Sequence, residues 1–245
     1  MAKEFRIKVE NVSKKFKIGY KKRQGALQRV LSFFSGKDSK KEILVLDGVS
    51  FEIFPKEIIG IIGNNGSGKS TLLRTLAGIY SVDSGSISVN GKVVSLINLN
   101  VGLKERLTMV ENIFLCCSLF GLPKSEIKKK FKSIVEFSEL KDFVNTKVYQ
   151  FSEGMKQRLV FSIGIHCNPD IFLLDEVLEV GDRAFKEKCS VAINKIVSSG
   201  TSVILVSHNL SLIKKHCKRV LWLEKGKIRM FEDAESVLKK YTNSE

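Results

Sequence analysis

Three glycines are spread among polar residues in the stretch Gly63–Thr71, which ends in a lysine, a serine and a threonine. It has the spacing G-x-x-x-x-G-K-S and follows an apolar run, Ile58–Ile62, that is typical of a buried strand. Glycines allow the backbone to curl until its N–H groups point at an anion, and a helix predicted over 69–78 adds partial positive charge there. A plain glycine-rich turn is the alternative, but the order strand, loop, helix favours a phosphate-binding loop.

Such a loop is predicted to bind a nucleoside triphosphate together with Mg²⁺. Lys69 would reach the outer phosphates, and the Ser70 hydroxyl would ligate the metal. The motif does not indicate which process the bound nucleotide would power. The predicted binding residues of the loop are Gly63, Asn64, Asn65, Gly66, Ser67, Gly68, Lys69, Ser70 and Thr71.

A second apolar run, Ile171–Leu174, ends in two acidic residues. In open α/β sheets ligands bind at the carboxyl ends of strands, so Asp175 is predicted to hold Mg²⁺ and Glu176 to polarise an attacking water as general base. The alternative is an acidic strand end that caps the next helix. His208 ends the following apolar strand at the same edge, where it could sense a γ-phosphate, although a lone histidine is more often structural.

An aromatic residue, Phe16, follows a strand predicted over 5–12. It could belong to the core, or it could be the platform on which an adenine ring stacks. The residues alone leave both roles open.

The elements that must position these residues are strands that alternate with helices, which predicts an α/β fold with a mostly parallel sheet covered on both faces. Across 105–167 the apolar period changes to 3.6, which predicts an all-helical insert. A capping box at Thr108–Glu111 opens its first helix, and Ser125 is expected to cap the next. Asn90-Gly91 predicts a tight hairpin between two strands, and Lys225-Gly226 predicts another.

Composition narrows the class of protein without fixing its partner. The 245 residues carry a formal net charge of +15, which suits nucleic acid, anionic lipid head groups or another anionic partner. The odd number of cysteines, five, suggests a reducing compartment. No apolar run approaches the roughly 20 residues that span a bilayer, so any membrane crossing is expected to belong to another chain. The basic stretch 17–41 is predicted to be either a solvated loop or a helix on an anionic membrane surface.

The motifs occur in a specific order: the phosphate-binding loop, a helical insert, the segment Phe151–Met155, the strand end Leu174–Glu176 and then His208. Across almost the whole chain this set resembles the ATP-binding subunit of ABC transporters. Within that family the chain looks most like the ATPases of polysaccharide exporters, which move O-antigen, capsule or teichoic acid. The narrower resemblance rests on the basic insertion, on the Phe151–Met155 segment and on the runs 175–182 and 184–189.

The resemblance implies one ABC-type P-loop ATPase domain over 1–245. Residues 1–100 and 168–245 would form a RecA-like core with an antiparallel β subdomain, interrupted by the basic insertion 17–42, and 105–167 would form the helical subdomain.

Residue roles also follow from the resemblance. Phe16 would stack on adenine, and His208 would be the switch histidine. Ser152 and Gly154 would close over the γ-phosphate bound by a second subunit, and Asp182 would lie in the loop that couples the two sites.

Three segments depart from the family pattern. The usual segment L-S-G-G-Q has Glu153 and Met155 at its third and fifth positions here. Asn98 stands where a glutamine is usual, so the implied ligands of Mg²⁺ or its water are Ser70, Asp175 and Asn98. The loop that ends at Asp182 differs from the common S-A-L-D but keeps its acid.

The implied protein is an enzyme that hydrolyses ATP, with ATP and Mg²⁺ as its cofactors. It would form a head-to-tail homodimer, dock its helical insert on a membrane-spanning permease, and lie on the cytoplasmic face of the inner membrane, with a contact to anionic lipid through 17–41. One rival is the ATPase of an importer or drug exporter. Another is a soluble ATPase acting on nucleic acid, which is disfavoured because only about 80 residues, without a heptad run, separate the loop from the Phe151–Met155 segment.

Overall fold

The computed structural model describes residues 4–18, 41–97, 102–177 and 181–244. Two predicted features therefore lie wholly or mainly outside the described residues: Asn98, and the basic insertion, of which 19–40 are not described.

A six-stranded sheet is the centre of the fold, with the strand order β5-β6-β7-β3-β8-β9. Its first five strands are parallel and β9 is antiparallel, so the predicted mostly parallel α/β sheet is confirmed. The strands are β3 (Ile58–Ile62), β5 (Val93–Leu96), β6 (Ile171–Asp175), β7 (Ser202–Val206), β8 (Arg219–Glu224) and β9 (Lys227–Asp233). The predicted hairpin at Lys225-Gly226 joins β8 to β9.

A second, three-stranded antiparallel sheet has the order β2-β1-β4 and consists of β1 (Ile7–Ile18), β2 (Lys41–Ile53) and β4 (Ser84–Val89). The strand predicted to end at residue 12 continues to Ile18. Phe16 therefore lies within β1, opposite Ile43 of β2, and not after the strand.

The predicted hairpin at Asn90-Gly91 is wrong, because β4 pairs with β1 while β5 pairs with β6 in the other sheet. The Asn90 N–H bonds to the Arg6 carbonyl, and Gly91 packs so closely on Asp170 that a Cβ there would lie 2.5 Å from the Asp170 Cβ. The two residues therefore pass the chain from one sheet to the other and do not reverse it.

Seven α-helices are described: α1 (Lys69–Leu76), α2 (Met109–Leu119), α3 (Lys124–Ser138), α4 (Glu153–His166), α5 (Arg183–Ser198), α6 (Leu210–His216) and α7 (Ala234–Thr242). Three of them, α2 to α4, follow one another between β5 and β6. Thr108 and Glu111 form the predicted capping box of α2. Ser125 does not cap α3, because the helix already begins at Lys124. Pro123 precedes the helix, and its carbonyl accepts from the Glu126 N–H.

Alternate residues of the central strands pack into two separate cores. Ile59 and Ile61 face the core shared with α1 and the three-stranded sheet, whereas Ile58 and Ile62 face the core shared with helices α2 to α7. Both faces of the sheet are thus covered, as its uninterrupted apolar strands require. The carboxyl ends of β3, β6 and β7 are held together at one edge.

Candidate functional site

The loop between β3 and α1 turns through three glycines with positive φ: Gly63 at 146°, Gly66 at 77° and Gly68 at 109°. A side chain at Gly63 would collide with the carbonyl oxygen of Leu223, and a Cβ at Gly68 would lie 2.9 Å from the Val45 oxygen. The loop is therefore pressed against β8 and β2, and glycine is required for both its conformation and this close approach.

Lys69 begins α1, and its side chain folds back over the loop. Its Nζ donates to the carbonyls of Gly63, at 2.6 Å, and Asn64, at 3.1 Å. Burial lowers the pKa of Lys69, and the charges of Asp175 and Glu176 oppose that shift. A partly desolvated ammonium near the free N–H groups of a helix start is suited to bind an anion.

Asp175 ends β6 beside this loop, where the Ser70 side chain hydrogen-bonds to it. Burial raises the pKa of Asp175, the Glu176 charge adds to the rise, and the Ser70 hydrogen bond opposes it. A hydroxyl and a carboxylate are ligands that Mg²⁺ accepts. No group of three or more His, Cys, Asp or Glu side chains that could hold a metal is found in the described part of the chain.

Glu176 and His208 follow neighbouring strands and meet across the sheet edge. His208 Nε2 lies 3.4 Å from Glu176 Oε1, and both side chains are about half exposed, at 52% and 58%. Glu176 has a φ of 59°, unusual for a residue other than glycine, and its N–H bonds to the Val206 carbonyl at 2.9 Å. Such backbone strain clusters at functional sites, so this outlier supports a working role for Glu176.

These groups surround one open cavity of about 320 Å³. It brings together most of the loop residues, both acidic residues and His208, although these groups are far apart in the sequence. Its walls come from Val45, Asn65, Gly66, Gly68, Lys69, Ser70, Thr71, Asp175, Glu176, Val206 and His208. The Oγ of Ser67, in the same loop, is buried and has no hydrogen-bond partner among the residues that the structure describes.

Phe16 does not line this cavity. Its ring packs edge-on against Tyr80, with centroids 5.3 Å apart, and the Lys14 ammonium lies 5.5 Å from it. Tyr80 was missed by the sequence analysis, because an aromatic residue after a helix carries no signal of what it will pack against.

Ser152 and Gly154, by contrast, lie outside the cavity, at the start of α4. Ser152 is exposed and caps the helix by accepting from the Met155 N–H at 3.2 Å. The nearest atom to a Cβ at Gly154 would be Ser152 Oγ at 4.0 Å, so the surface here is open. Within one chain the structure does not bring this segment to the phosphate-binding loop's cavity.

Asp182 caps α5 through the Phe185 N–H, at 2.9 Å, and this hydrogen bond is the main reason why its pKa is lowered. Its other oxygen accepts from Arg158 of α4 at 2.7 Å. Arg158 also pairs with Glu139 at 2.6 Å and lies over the Phe185 ring, 4.7 Å from its centroid. Arg158 was not predicted from the sequence, although the acidic residue retained in the Asp182 loop indicates that a basic partner is nearby.

Comparison with known proteins gives one family and one group of relatives. Residues 46–179 match the family model described as ABC transporter. The chain is 39% identical over 242 residues to the teichoic acids export ATP-binding protein TagH of Listeria innocua, covering 98% of this chain and 71% of the relative. The TagH protein of Staphylococcus haemolyticus is 38% identical, with 96% and 87% covered, and that of Bacillus anthracis is 37% identical, with 97% and 42% covered.

Solved structures support the same fold. An ATP-binding subunit of an ABC transporter superposes with a TM-score of 0.77 at 21% identity, covering 96% of this chain and 93% of the other. A dimeric ATP-binding cassette in a post-hydrolysis state with ADP and Pi gives a TM-score of 0.76 at 23% identity, covering 93% and 98%.

Proposed function

The chain belongs to the ABC transporter family, and we propose that it is the ATP-hydrolysing subunit of an exporter for a polysaccharide or lipid-linked glycan of the teichoic acid type. The cavity that joins Lys69, Ser70, Asp175, Glu176 and His208 carries the proposal, because it unites phosphate binding, metal binding and a base in one place. The relatives named for teichoic acid export support the choice of cargo.

The residues of the chain divide the work of hydrolysis. The loop N–H groups and Lys69 hold phosphate oxygens and offset the charge that develops on them. Ser70 and Asp175 would hold Mg²⁺, which when bound neutralises further phosphate charge. Glu176 accepts a proton from the attacking water, and His208, 3.4 Å away, keeps its carboxylate oriented.

The chain works as a head-to-tail homodimer in this proposal. The start of α4, where Ser152 is exposed and Gly154 is partly exposed, has free helix N–H groups suited to a phosphate that the same chain does not present to it. The loop of one copy and this segment of the other would enclose each nucleotide. The related cassette solved as a dimer supports this arrangement.

The described residues contain no helix that is long and apolar enough to cross a membrane. In the proposed complex a permease supplies the membrane-spanning part, and this chain lies peripherally on the cytoplasmic face. Anionic lipid contact through 17–41 remains part of the proposal.

Two experiments test the function. The purified chain should hydrolyse ATP in the presence of Mg²⁺, and turnover should rise with protein concentration because the active form is a dimer. Expressed with its neighbouring membrane protein, it should co-purify with that protein and restore export of wall glycan to cells that lack their own ATPase. Hydrolysis that is stimulated by nucleic acid and not by the permease would contradict the export role.

A further inference from the structure

The phosphate-binding loop is held from outside by the last elements of the chain. The N–H of Gly226, at the β8–β9 turn, donates to the Ser67 carbonyl at 3.0 Å. Tyr241, in α7, donates its hydroxyl to Asn64 Oδ1 at 2.9 Å. A helix 177 residues away in sequence therefore touches the loop directly.

Tyr241 is itself firmly placed. It is 7% exposed, and its ring packs edge-on against Trp222 of β8, with centroids 5.2 Å apart and planes at 90°. Trp222 pairs in register with Ile62, the last residue of the strand that leads into the loop. The hydroxyl of Tyr241 is thus presented to Asn64 by rigid neighbours.

Asn64 links this contact to the chemistry. Its backbone carbonyl accepts from Lys69 Nζ at 3.1 Å and from the Ser67 N–H at 3.1 Å. The residue whose side chain is held by α7 therefore also holds the lysine that faces the cavity. A hydrogen bond at the side chain restricts the backbone of Asn64, and so restricts where Lys69 rests before phosphate arrives.

We propose that Tyr241 is a positioning residue that couples helix α7 to the nucleotide site through Asn64. The inference rests on the proposed nucleotide-binding function and adds a means of regulation: anything that moves α7 changes the affinity of the loop for nucleotide. Because coupling free energy is reciprocal, nucleotide binding also stabilises α7 by the same factor.

The chain supplies a built-in reporter for this coupling. Trp222 is its single tryptophan, and it contacts the Tyr241 ring. Nucleotide that reorganises Asn64 should change the fluorescence of Trp222 through Tyr241, which can be measured without any hydrolysis.

The test uses Tyr241→Phe, which keeps the ring on Trp222 and removes only the hydroxyl, with Asn64→Ala as its partner variant. Each is expected to raise the Kd for ADP about threefold to tenfold, the effect of one hydrogen bond, and to reduce the nucleotide-dependent change in Trp222 fluorescence. The double variant should show the same Kd and the same fluorescence change as each single variant, because both substitutions remove the same Tyr241–Asn64 hydrogen bond. For Tyr241→Phe, turnover at saturating ATP should stay near that of wild type.

Thr242→Ala is the matched control, since Thr242 donates to the Leu238 carbonyl within α7 and so loses a hydrogen bond in the same helix. It should leave Kd and fluorescence unchanged. Hydrogen exchange should show that ADP protects the amides of α7 in wild type and less so in Tyr241→Phe.

Equal Kd, fluorescence and protection in wild type and Tyr241→Phe would overturn the coupling alone. Additive effects of the two single variants would also overturn it, because they would act independently. A wild-type chain that binds neither ATP nor ADP would instead overturn the proposed function, and the coupling with it.

Discussion

The cavity beside the phosphate-binding loop and the exposed start of α4 make a revealing contrast. In the cavity, groups from three strands and one helix converge, and the pKa values of Lys69 and Asp175 are shifted mainly by burial. At the start of α4, Ser152 is exposed and Gly154 is partly exposed, and the hydrogen bond that the Ser152 side chain accepts comes from its own helix. One region is complete within a single chain, and the other is not.

This difference predicts which step of ATP hydrolysis each region affects. In the proposed function, groups in the cavity bind nucleotide in a monomer, so changes there should alter affinity or chemistry directly. Groups at the start of α4 can act only on something brought to them, so changes there should spare nucleotide affinity and remove turnover.

Glu176→Gln should give the largest loss, roughly 10²–10⁴-fold in turnover, because the amide cannot accept a proton from water. Nucleotide affinity should be unchanged, since the phosphate contacts remain. Steady-state ATPase assays and an ADP or ATP titration measure the two quantities. Near-normal hydrolysis would reject Glu176 as the base.

Gly154→Asp should reduce turnover nearly as much while leaving nucleotide affinity of the monomer intact. A carboxylate at the start of α4 would repel a phosphate presented by another copy, and the open surface around Gly154 lets the variant fold. Melting temperature, nucleotide titration and turnover together check this. Normal turnover would show that the start of α4 does not take part.

Arg158→Met should lower turnover about threefold to tenfold at an unchanged KM. The methionine keeps contact with the Phe185 ring but loses the pairs to Glu139 and Asp182, so α4 is less well positioned relative to the Asp182 loop.

The matched control for Arg158 is Arg229→Met. Arg229 also lies over an aromatic ring, Trp222 at 4.4 Å, and pairs with a carboxylate, Glu224 at 2.9 Å, but belongs to neither region. An equal loss of turnover in both variants would show that the effect of Arg158 is general destabilisation.

Asp175→Asn should raise the melting temperature of the nucleotide-free chain by a few degrees. Burial raises the pKa of Asp175, so the folded chain holds a proton there more tightly than the unfolded chain does. The stabilisation of the folded chain by this proton is present at low pH and is lost as the pH rises through the raised pKa. At neutral pH the buried carboxylate therefore lowers the free energy of unfolding.

The melting-temperature gain of Asp175→Asn should therefore shrink as the pH is lowered through that raised pKa. The variant should also lose the extra stabilisation that Mg²⁺ gives in the presence of nucleotide. A melting temperature below that of wild type at neutral pH would contradict the burial argument.

The contrast between the two regions also explains what the sequence could reveal. Spacing along the sequence was enough to predict the loop glycines and Lys69, because they form a local turn. The acidic strand end was predictable because parallel strands end at the same edge of a sheet. Thr108 was correctly predicted to cap a helix together with Glu111, since capping is local.

Other features depended on contacts that spacing does not encode. Asn90-Gly91 has the composition of a hairpin, yet Gly91 serves a close approach to Asp170 between two sheets. The pairing of Arg158 with Asp182 and the contact of Tyr241 with Asn64 join segments that are distant in sequence. Only the packed structure brings such partners together.

In the proposed dimer the phosphate-binding loop of one copy meets the start of α4 in the other copy. A cross-link between these two segments tests that arrangement. Copies that carry Asn65→Cys and copies that carry Ser152→Cys, distinguished by tags of different size and both containing Glu176→Gln, are mixed and oxidised with and without ATP. The five native cysteines are buried and should not interfere. We expect a mixed cross-linked dimer that forms with ATP and not without it. Absence of that dimer in ATP, while both introduced thiols react with a small reagent, would contradict the account.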